Sequence, residues 1–277
     1  MEILFLGTGA ATACPLPFCR CPACRAGRRE GGRNLRKRSS VLIDHQILID
    51  LGPDLASACF EYGEDPAEIG CLLQTHSHSD HFDAGHLITR IPDYATKDLH
   101  PMQIVASEAC LGHMSEKLAR EETGATLLTA PWQKKLGVQV IPVSNKDRLR
   151  YNNYEILCLS SAHDPADGSM MYIIRRGDAA FFYACDTPLF TDDVWDVLEG
   201  LEFPITAAAV DQTYGPGTPG GGHLYADQVA QIAARMKHTR ILATHISHEG
   251  TPPHEEMDAW TRARGYETAW DGLRIRI

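Results

Sequence analysis

Short apolar runs broken by polar turns recur along the chain, and their lengths favour strands over long helices. Ile3–Leu6 is apolar and stops at Gly7-Thr8-Gly9, which predicts a buried strand and a tight turn. Ser40–Asp44 and Gln46–Asp50 predict two strands around a turn at Asp44-His45. A helix is expected over 53–63, ending at Gly63. Ile69–Thr75 is a further apolar strand that runs directly into His76. Residues 84–90 read as helical, and 91–135 is mixed with a helix over 108–123. Strands are expected at 137–143, 154–160, 170–176 and 179–185, then a helix over 192–200 and a buried strand at Ala207–Val210. Pro and Gly crowd 215–222. A helix over Tyr225–Met236, a strand at Arg240–Thr244, a helix over 253–264 and a closing strand pair at 268–277 complete the pattern. Residues 14–38 have no packing period and read as a loop that something other than a core must hold. Runs of strands mixed with helices in each half imply two packed sheets with helices outside them.

Composition narrows the class. The 277 residues, 44% hydrophobic and 22% charged, suit one globular domain over 1–277, or at most two small ones. A formal charge of −10 argues against nucleic acid or anionic lipid as partner. The basic run Arg33, Arg36, Lys37, Arg38 is read as a solvated face, with guidance of a phosphorylated substrate as the alternative. No apolar run approaches the roughly 20 residues of a membrane helix. The N-terminus lacks a basic flank, so a cytoplasmic protein is expected. An odd count of nine cysteines in a reducing compartment argues against a disulfide framework. Cys59, Cys71, Cys110, Cys158 and Cys185 stand alone in apolar surroundings and read as small buried residues.

The chemistry concentrates in Thr75-His76-Ser77-His78-Ser79-Asp80-His81. Four potential ligands fall within six residues just after a buried strand. Imidazole and carboxylate together suit Zn, Mn or Fe. Alternation lets His76 and His78 point the same way, while Asp80 and His81 turn toward a second metal. His-x-His-x-Asp-His after a strand resembles the signature of the metallo-β-lactamase superfamily, and the likeness extends over nearly the whole chain. It implies a four-layer αββα sandwich of the α+β class. It also implies a dinuclear centre: His163 as third ligand of the first metal, Asp186 as bridging carboxylate, His245 as last ligand of the second, and Asp50 supporting from behind.

Cys19-Arg20-Cys21-Pro22-Ala23-Cys24 is a second constellation. Three thiolates suit a structural Zn, which wants a fourth ligand from elsewhere. Cys14 is one candidate and His248 the better one. A reactive or redox-sensing thiol cluster is the competing reading. The preference for His248 comes from a narrower resemblance. The loop and Thr244-His245-Ile246-Ser247-His248 resemble segments of the phosphoribosyl cyclic phosphodiesterases of phosphonate catabolism, as do Gly7-Thr8-Gly9 and Trp270-Asp271-Gly272. That likeness implies Cys19, Cys21, Cys24 and His248 around one structural Zn, and His223 near the leaving group as general acid. Asp80 could orient the nucleophile while binding metal. Asp164 is expected only to cap a turn. The glycine-rich loop before His223 could approach a phosphate or could be merely flexible.

The expected activity is a metal-dependent phosphodiesterase acting on a small phosphorylated substrate, a phosphoribosyl cyclic phosphate or cyclic nucleotide. The alternatives are hydrolysis of a lactone, thioester or lactam, an accessory role in a cofactor-biosynthesis pathway, or di-iron redox chemistry. Residues 84–150 carry no substrate-binding signature that the likeness supplies, and Tyr94, Lys97, His113, Lys117 and Trp132 could shape a different pocket there. His45, His86, His100, His113, His238 and His254 have no constellation around them and read as surface or core. A surface helix such as 108–123 could serve a homodimer.

Overall fold

A computed structural model describes residues 1–95 and 98–277, so Lys97 lies outside the described residues. In chain order the strands are β1 (Glu2–Gly7), β2 (Ser40–Ile43), β3 (Ile47–Ile49), β4 (Cys71–Leu73), β5 (Met102–Ala106), β6 (Val138–Pro142), β7 (Arg148–Tyr151), β8 (Tyr154–Ser160), β9 (Met170–Arg176), β10 (Ala179–Ala184), β11 (Ala207–Asp211), β12 (Arg240–Thr244), β13 (Glu267–Thr268) and β14 (Arg274–Arg276). The helices are α1 (Pro22–Glu30), α2 (Leu55–Tyr62), α3 (Ala84–Ile88), α4 (Glu108–Glu121), α5 (Ala130–Leu136), α6 (Asp192–Glu199), α7 (Ala226–Arg235) and α8 (His254–Arg262).

Two mixed sheets of seven strands pack face to face, ordered β14-β1-β2-β3-β4-β5-β6 and β13-β12-β11-β10-β9-β8-β7. Strands near the middle are apolar on both faces. In β1, Ile3 and Phe5 enter the core between the sheets, while Leu4 and Leu6 face helices. In β10, Phe181 and Tyr183 point inward and Phe182 and Ala184 outward. Helices α2 to α4 cover the first sheet with Leu55, Leu87, Met114 and Leu118. Helices α6 and α7 cover the second with Val194, Val229 and Ile232. This is the expected αββα sandwich, and strands covered on both sides read as continuous apolar runs for that reason. Among the described residues no helix is long and apolar enough to cross a membrane.

Several expectations are corrected. The closing pair at 268–277 splits: β13 joins β12 and β14 joins β1, so the two strands belong to different sheets. The loop at 14–38 contains α1. Cys21 caps it by accepting from the Cys24 amide, Pro22 occupies its first turn, and Arg28 and Arg29 lie in its last. The Arg28 guanidinium gathers the carbonyls of Leu16, Pro17 and Cys19, which gives this segment a polar substitute for a core. Arg33 apart, which is exposed, the basic run is not a solvated face. Arg36 is buried and donates to Thr8 Oγ1 at 2.7 Å, Ala269 O at 2.8 Å and His254 Nδ1 at 3.0 Å. Lys37 pairs with Glu61, and Arg38 with Asp54. His254 therefore has a constellation after all. The pattern also missed β5, β7 and α5.

Candidate metal centre

Strand ends converge at one rim of the sandwich. Asp50 follows β3, the His76–His81 loop follows β4, His163 follows β8, Asp186 follows β10, and His245 follows β12. Asp50, Asp186 and His245 all have positive φ, at 67°, 49° and 56°. Non-glycine residues adopt this region at a cost, and such strain gathers where side chains must be aimed. Gly52 is required for another reason: a Cβ there would lie 2.6 Å from the Asp80 carbonyl, so only glycine lets the histidine loop pack on the β3 end.

All seven sequence-predicted residues of the centre come together. Asp186 divides its oxygens between two groups. Its Oδ2 lies 3.6 Å from His76 Nε2 and 3.6 Å from His163 Nε2, with His78 Nδ1 3.4 Å from His163 Nε2. Its Oδ1 lies 3.2 Å from His81 Nε2 and 3.0 Å from His245 Nε2, and Asp80 Oδ2 is 3.1 Å from His81 Nε2. Ligands about 2.1 Å from a tetrahedral ion stand about 3.4 Å apart, so both groups have the spacing of a coordination shell. The Cys185 thiol also adjoins the second group. Burial raises its pKa well above the ordinary value, and it donates to Asp186 Oδ1 at 3.2 Å, so Asp80 is the better donor there.

The far side of each imidazole fixes its tautomer. His81 Nδ1 donates to Asp50 Oδ2 at 2.7 Å. Thr75 Oγ1 gives its hydrogen to Asp50 Oδ1 and so accepts from His76 Nδ1 at 2.9 Å. Thr213 Oγ1 donates to Asp211 Oδ1 and accepts from His245 Nδ1 at 2.8 Å. His163 Nδ1 donates to Gly222 O at 3.1 Å, and His78 Nε2 to Asp164 Oδ2 at 3.1 Å. When the nitrogen facing the centre is deprotonated, each ring so held presents a lone pair there, the arrangement that metal-binding histidines use. His76 Nε2 is buried with no hydrogen-bond partner among the described residues, an acceptor that a metal cation would satisfy.

Electrostatics agree. Burial opposes charge on Asp186, yet His245 and His81 hold it well below the usual carboxylate range. Burial likewise opposes ionisation of Asp80, and His81 and His245 outweigh it and lower its pKa. Burial works against a proton on His81, but Asp186, Asp80 and Asp50 raise it well above the imidazole norm. Burial and the His81 charge push His76 well down. Three buried carboxylates, Asp186, Asp80 and Asp50, converge on His81, and such an excess of negative charge suits divalent cations.

His223 stands beside this centre. Its ring stacks on His245 with centroids 5.2 Å apart, and it lies 4.6 Å from His163. Its Nδ1 donates to Asp211 Oδ2 at 2.8 Å. Burial lowers its pKa, but the Asp211 hydrogen bond and charge prevail and bring it to about 9. Sequence reasoning missed Asp211, although an aspartate ending the buried strand β11 follows the same rule as Asp186. It missed Thr213 and the Gly222 carbonyl as well. Asp164 does cap a turn, accepting from the Ala166 and Asp167 amides, but it also orients His78. His113 is not without a partner: its Nδ1 donates to the buried Asp167. The 215–222 loop is fitted rather than loose. Gly215 N donates to Glu249 O at 3.0 Å, and a Cβ on Gly215 would meet the Gly250 carbonyl at 1.8 Å.

The second constellation lies at the other edge of the Ser247-His248 segment. Cys19 Sγ is 3.5 Å and Cys21 Sγ 3.3 Å from His248 Nδ1, and Cys24 completes the group. The Cys21 amide donates to Cys19 Sγ at 3.4 Å and lowers the Cys19 pKa, and the Cys24 amide donates to Cys21 Sγ at 3.4 Å. Cys14 stands outside the group, its backbone paired with Arg36.

Comparisons with known proteins follow the same line. The chain is similar over 100% of its own length to a crystal structure described as a new diphosphatase from the PhnP family, covering 97% of that chain, at 22% identity and a TM-score of 0.72. Zn(2+)-bound PqqB from Methylobacterium extorquens is similar over 100% of both chains, at 19% identity and a TM-score of 0.74. The short form of human tRNase Z is similar over 100% of this chain and 99% of that one, at 17% identity and a TM-score of 0.64. These likenesses establish the fold. No curated protein matches by sequence. Residues 45–246 match the family described as the beta-lactamase superfamily domain, and with that match the chain belongs to the metallo-β-lactamase superfamily.

Proposed function

We propose that this protein is a dinuclear metal-dependent hydrolase of phosphodiesters, with 1–277 working as one domain and a small cyclic phosphate as its substrate. The observation that carries the reading is Asp186, one oxygen turned to each group of imidazoles, with a proton-bearing His223 stacked beside it. His76, His78, His163 and Asp186 would hold one ion, and Asp80, His81, His245 and Asp186 the other. Cys19, Cys21, Cys24 and His248 would hold a structural Zn. A bound pair of divalent ions, Zn, Mn or Fe, supplies Lewis acidity toward phosphoryl oxygens and activates water at neutral pH.

The chain's own residues do the rest. Asp50, Thr75, Thr213, Asp164 and the Gly222 carbonyl keep five imidazoles in the binding tautomer. Asp80 offers a second oxygen that can orient the attacking water. His223, kept protonated through neutrality by Asp211, gives its proton to the departing alkoxide. The resemblance of the Cys loop and of Thr244–His248 to the phosphoribosyl cyclic phosphodiesterases supports the substrate class.

The test is an assay of the wild type and Asp80→Ala against bis-p-nitrophenyl phosphate and 2′,3′-cyclic nucleotides, with metal content per chain. About three metals and turnover that the substitution abolishes are expected. Full metal loading without phosphodiester turnover overturns the reading, and favours a lactone, thioester or lactam substrate or an accessory role.

A further inference from the structure

Helix α4 presents two cationic side chains one turn apart, His113 and Lys117, beside the histidine loop. Their surroundings differ from an ordinary charged helix face. Asp167 is buried and accepts from the Ser77 amide, from Ser77 Oγ at 2.9 Å and from His113 Nδ1. Ser77 stands between His76 and His78. Lys117 Nζ donates to the Ser77 carbonyl. Thus α4, Asp167 and the loop are tied into one unit at the His78 side of the centre. His78 is the exposed candidate ligand, so this is where the centre opens to solvent.

The unit has unused capacity for negative charge. Lys117 is half-buried, and among the described residues no carboxylate lies within 4 Å of it; its partner is a neutral carbonyl. An ammonium drawn out of water onto one carbonyl keeps donors free. His113 has committed Nδ1 to Asp167, and its side chain remains 44% exposed, so Nε2 is the free donor. The Asp167 hydrogen bond also raises the His113 pKa, which favours the doubly protonated ring. His223 packs between His163 and His245 and is held by Asp211, touching neither His113 nor Lys117.

We propose that His113 and Lys117 form an anion subsite, which takes a second, non-reacting phosphate or carboxylate on the arm of the substrate that does not leave. The inference rests on the phosphodiester reading above and deepens it by assigning the residues that would hold the second anionic group. Asp167 is the positioning residue, holding His113 and the loop in register.

A matched pair of substrates tests this: thymidine 5′-(p-nitrophenyl phosphate) with and without a 3′-phosphate, sharing one leaving group. The wild type is expected to favour the 3′-phosphorylated compound by about tenfold in kcat/KM, as a charge-assisted pair implies. Lys117→Gln and His113→Gln should each cut that preference several-fold, chiefly through KM, and Lys117→Arg should keep most of it. A preference near one in the wild type overturns the subsite. So does a preference that survives both glutamine substitutions while both rates fall together, since that marks a purely structural role. Calorimetric titration of the metal-loaded protein with thymidine 5′-phosphate and thymidine 3′,5′-bisphosphate, which carry no p-nitrophenyl ester, reads the subsite without turnover. Absence of turnover with a binding preference that Lys117→Gln removes would therefore sink the phosphodiester reading and keep the subsite. Equal binding of the two compounds would sink the subsite alone.

Discussion

The two ligand clusters are built in opposite ways. The His/Asp centre sits at the ends of β3, β4, β8, β10 and β12, and His76, Asp80, His81, Asp186 and His245 are buried. Its imidazoles are aimed by hydrogen bonds from behind, so the two sheets preorganise it. The Cys19-Cys21-Cys24-His248 cluster lies on a segment whose cohesion is one short helix, the Arg28 guanidinium and amide-to-sulfur contacts. Phe18 at the tip of that segment is 98% exposed. The first cluster would shape a metal pair; the second would be shaped by its metal. Structural sites of the second kind contribute folding energy directly, whereas catalytic sites spend it.

The largest effect should come from the residue the two halves of the first cluster share. Asp186→Asn removes a buried charge without changing side-chain volume. Elemental analysis should fall from about three metals per chain toward one, and turnover should drop by at least about 10³-fold. Because His81 and His245 hold Asp186 ionised and both ions would share it, its loss leaves a buried imidazolium unpaired, and the thermal midpoint should fall. A variant that keeps three metals would break the bridging assignment.

His223→Gln comes next. It leaves the metal count intact and should lower kcat by about 10²–10³-fold, the range of a placed general acid. As the acid, His223 must carry its proton, so wild-type kcat should decline as pH rises through about 9. Asp211→Asn removes the carboxylate that raises this pKa, and the alkaline limb should move to lower pH. An alkaline limb that stays in place would assign the proton transfer to another group.

The same contrast explains what the sequence revealed. The centre was legible because a sheet delivers its ligands at strand ends, so a His-rich turn after an apolar run is a local signal. The strands β5 and β7 were not. Met102–Ala106 is only five residues long and follows His100-Pro101, and Arg148–Tyr151 is an edge strand with two exposed arginines. Helix α1 escaped because its buried face, Ala23, Cys24, Ala26 and Gly27, is made of small residues; a cysteine cap and a proline start it. Asp167 could not have been found, since its contact with Ser77 spans 90 residues and leaves no local pattern.

Cys21→Ser sharpens the comparison, because the two clusters touch through the chain. His248 precedes Glu249, whose carbonyl holds the Gly215 amide, and Gly250 packs on Thr218. The loop so anchored ends at Gly222, whose carbonyl orients His163, and at His223 itself. Loss of one thiolate should remove about one metal and lower the thermal midpoint by about 5–10 °C. Turnover should fall only about tenfold, in kcat more than KM, because His163 and His223 are loosened rather than removed. Loss of one metal with both midpoint and kcat unchanged would make the clusters independent. A kcat loss as deep as that of His223→Gln would instead make the cysteine segment part of the catalytic scaffold, since a peripheral staple cannot cost as much as the proton donor it helps to hold.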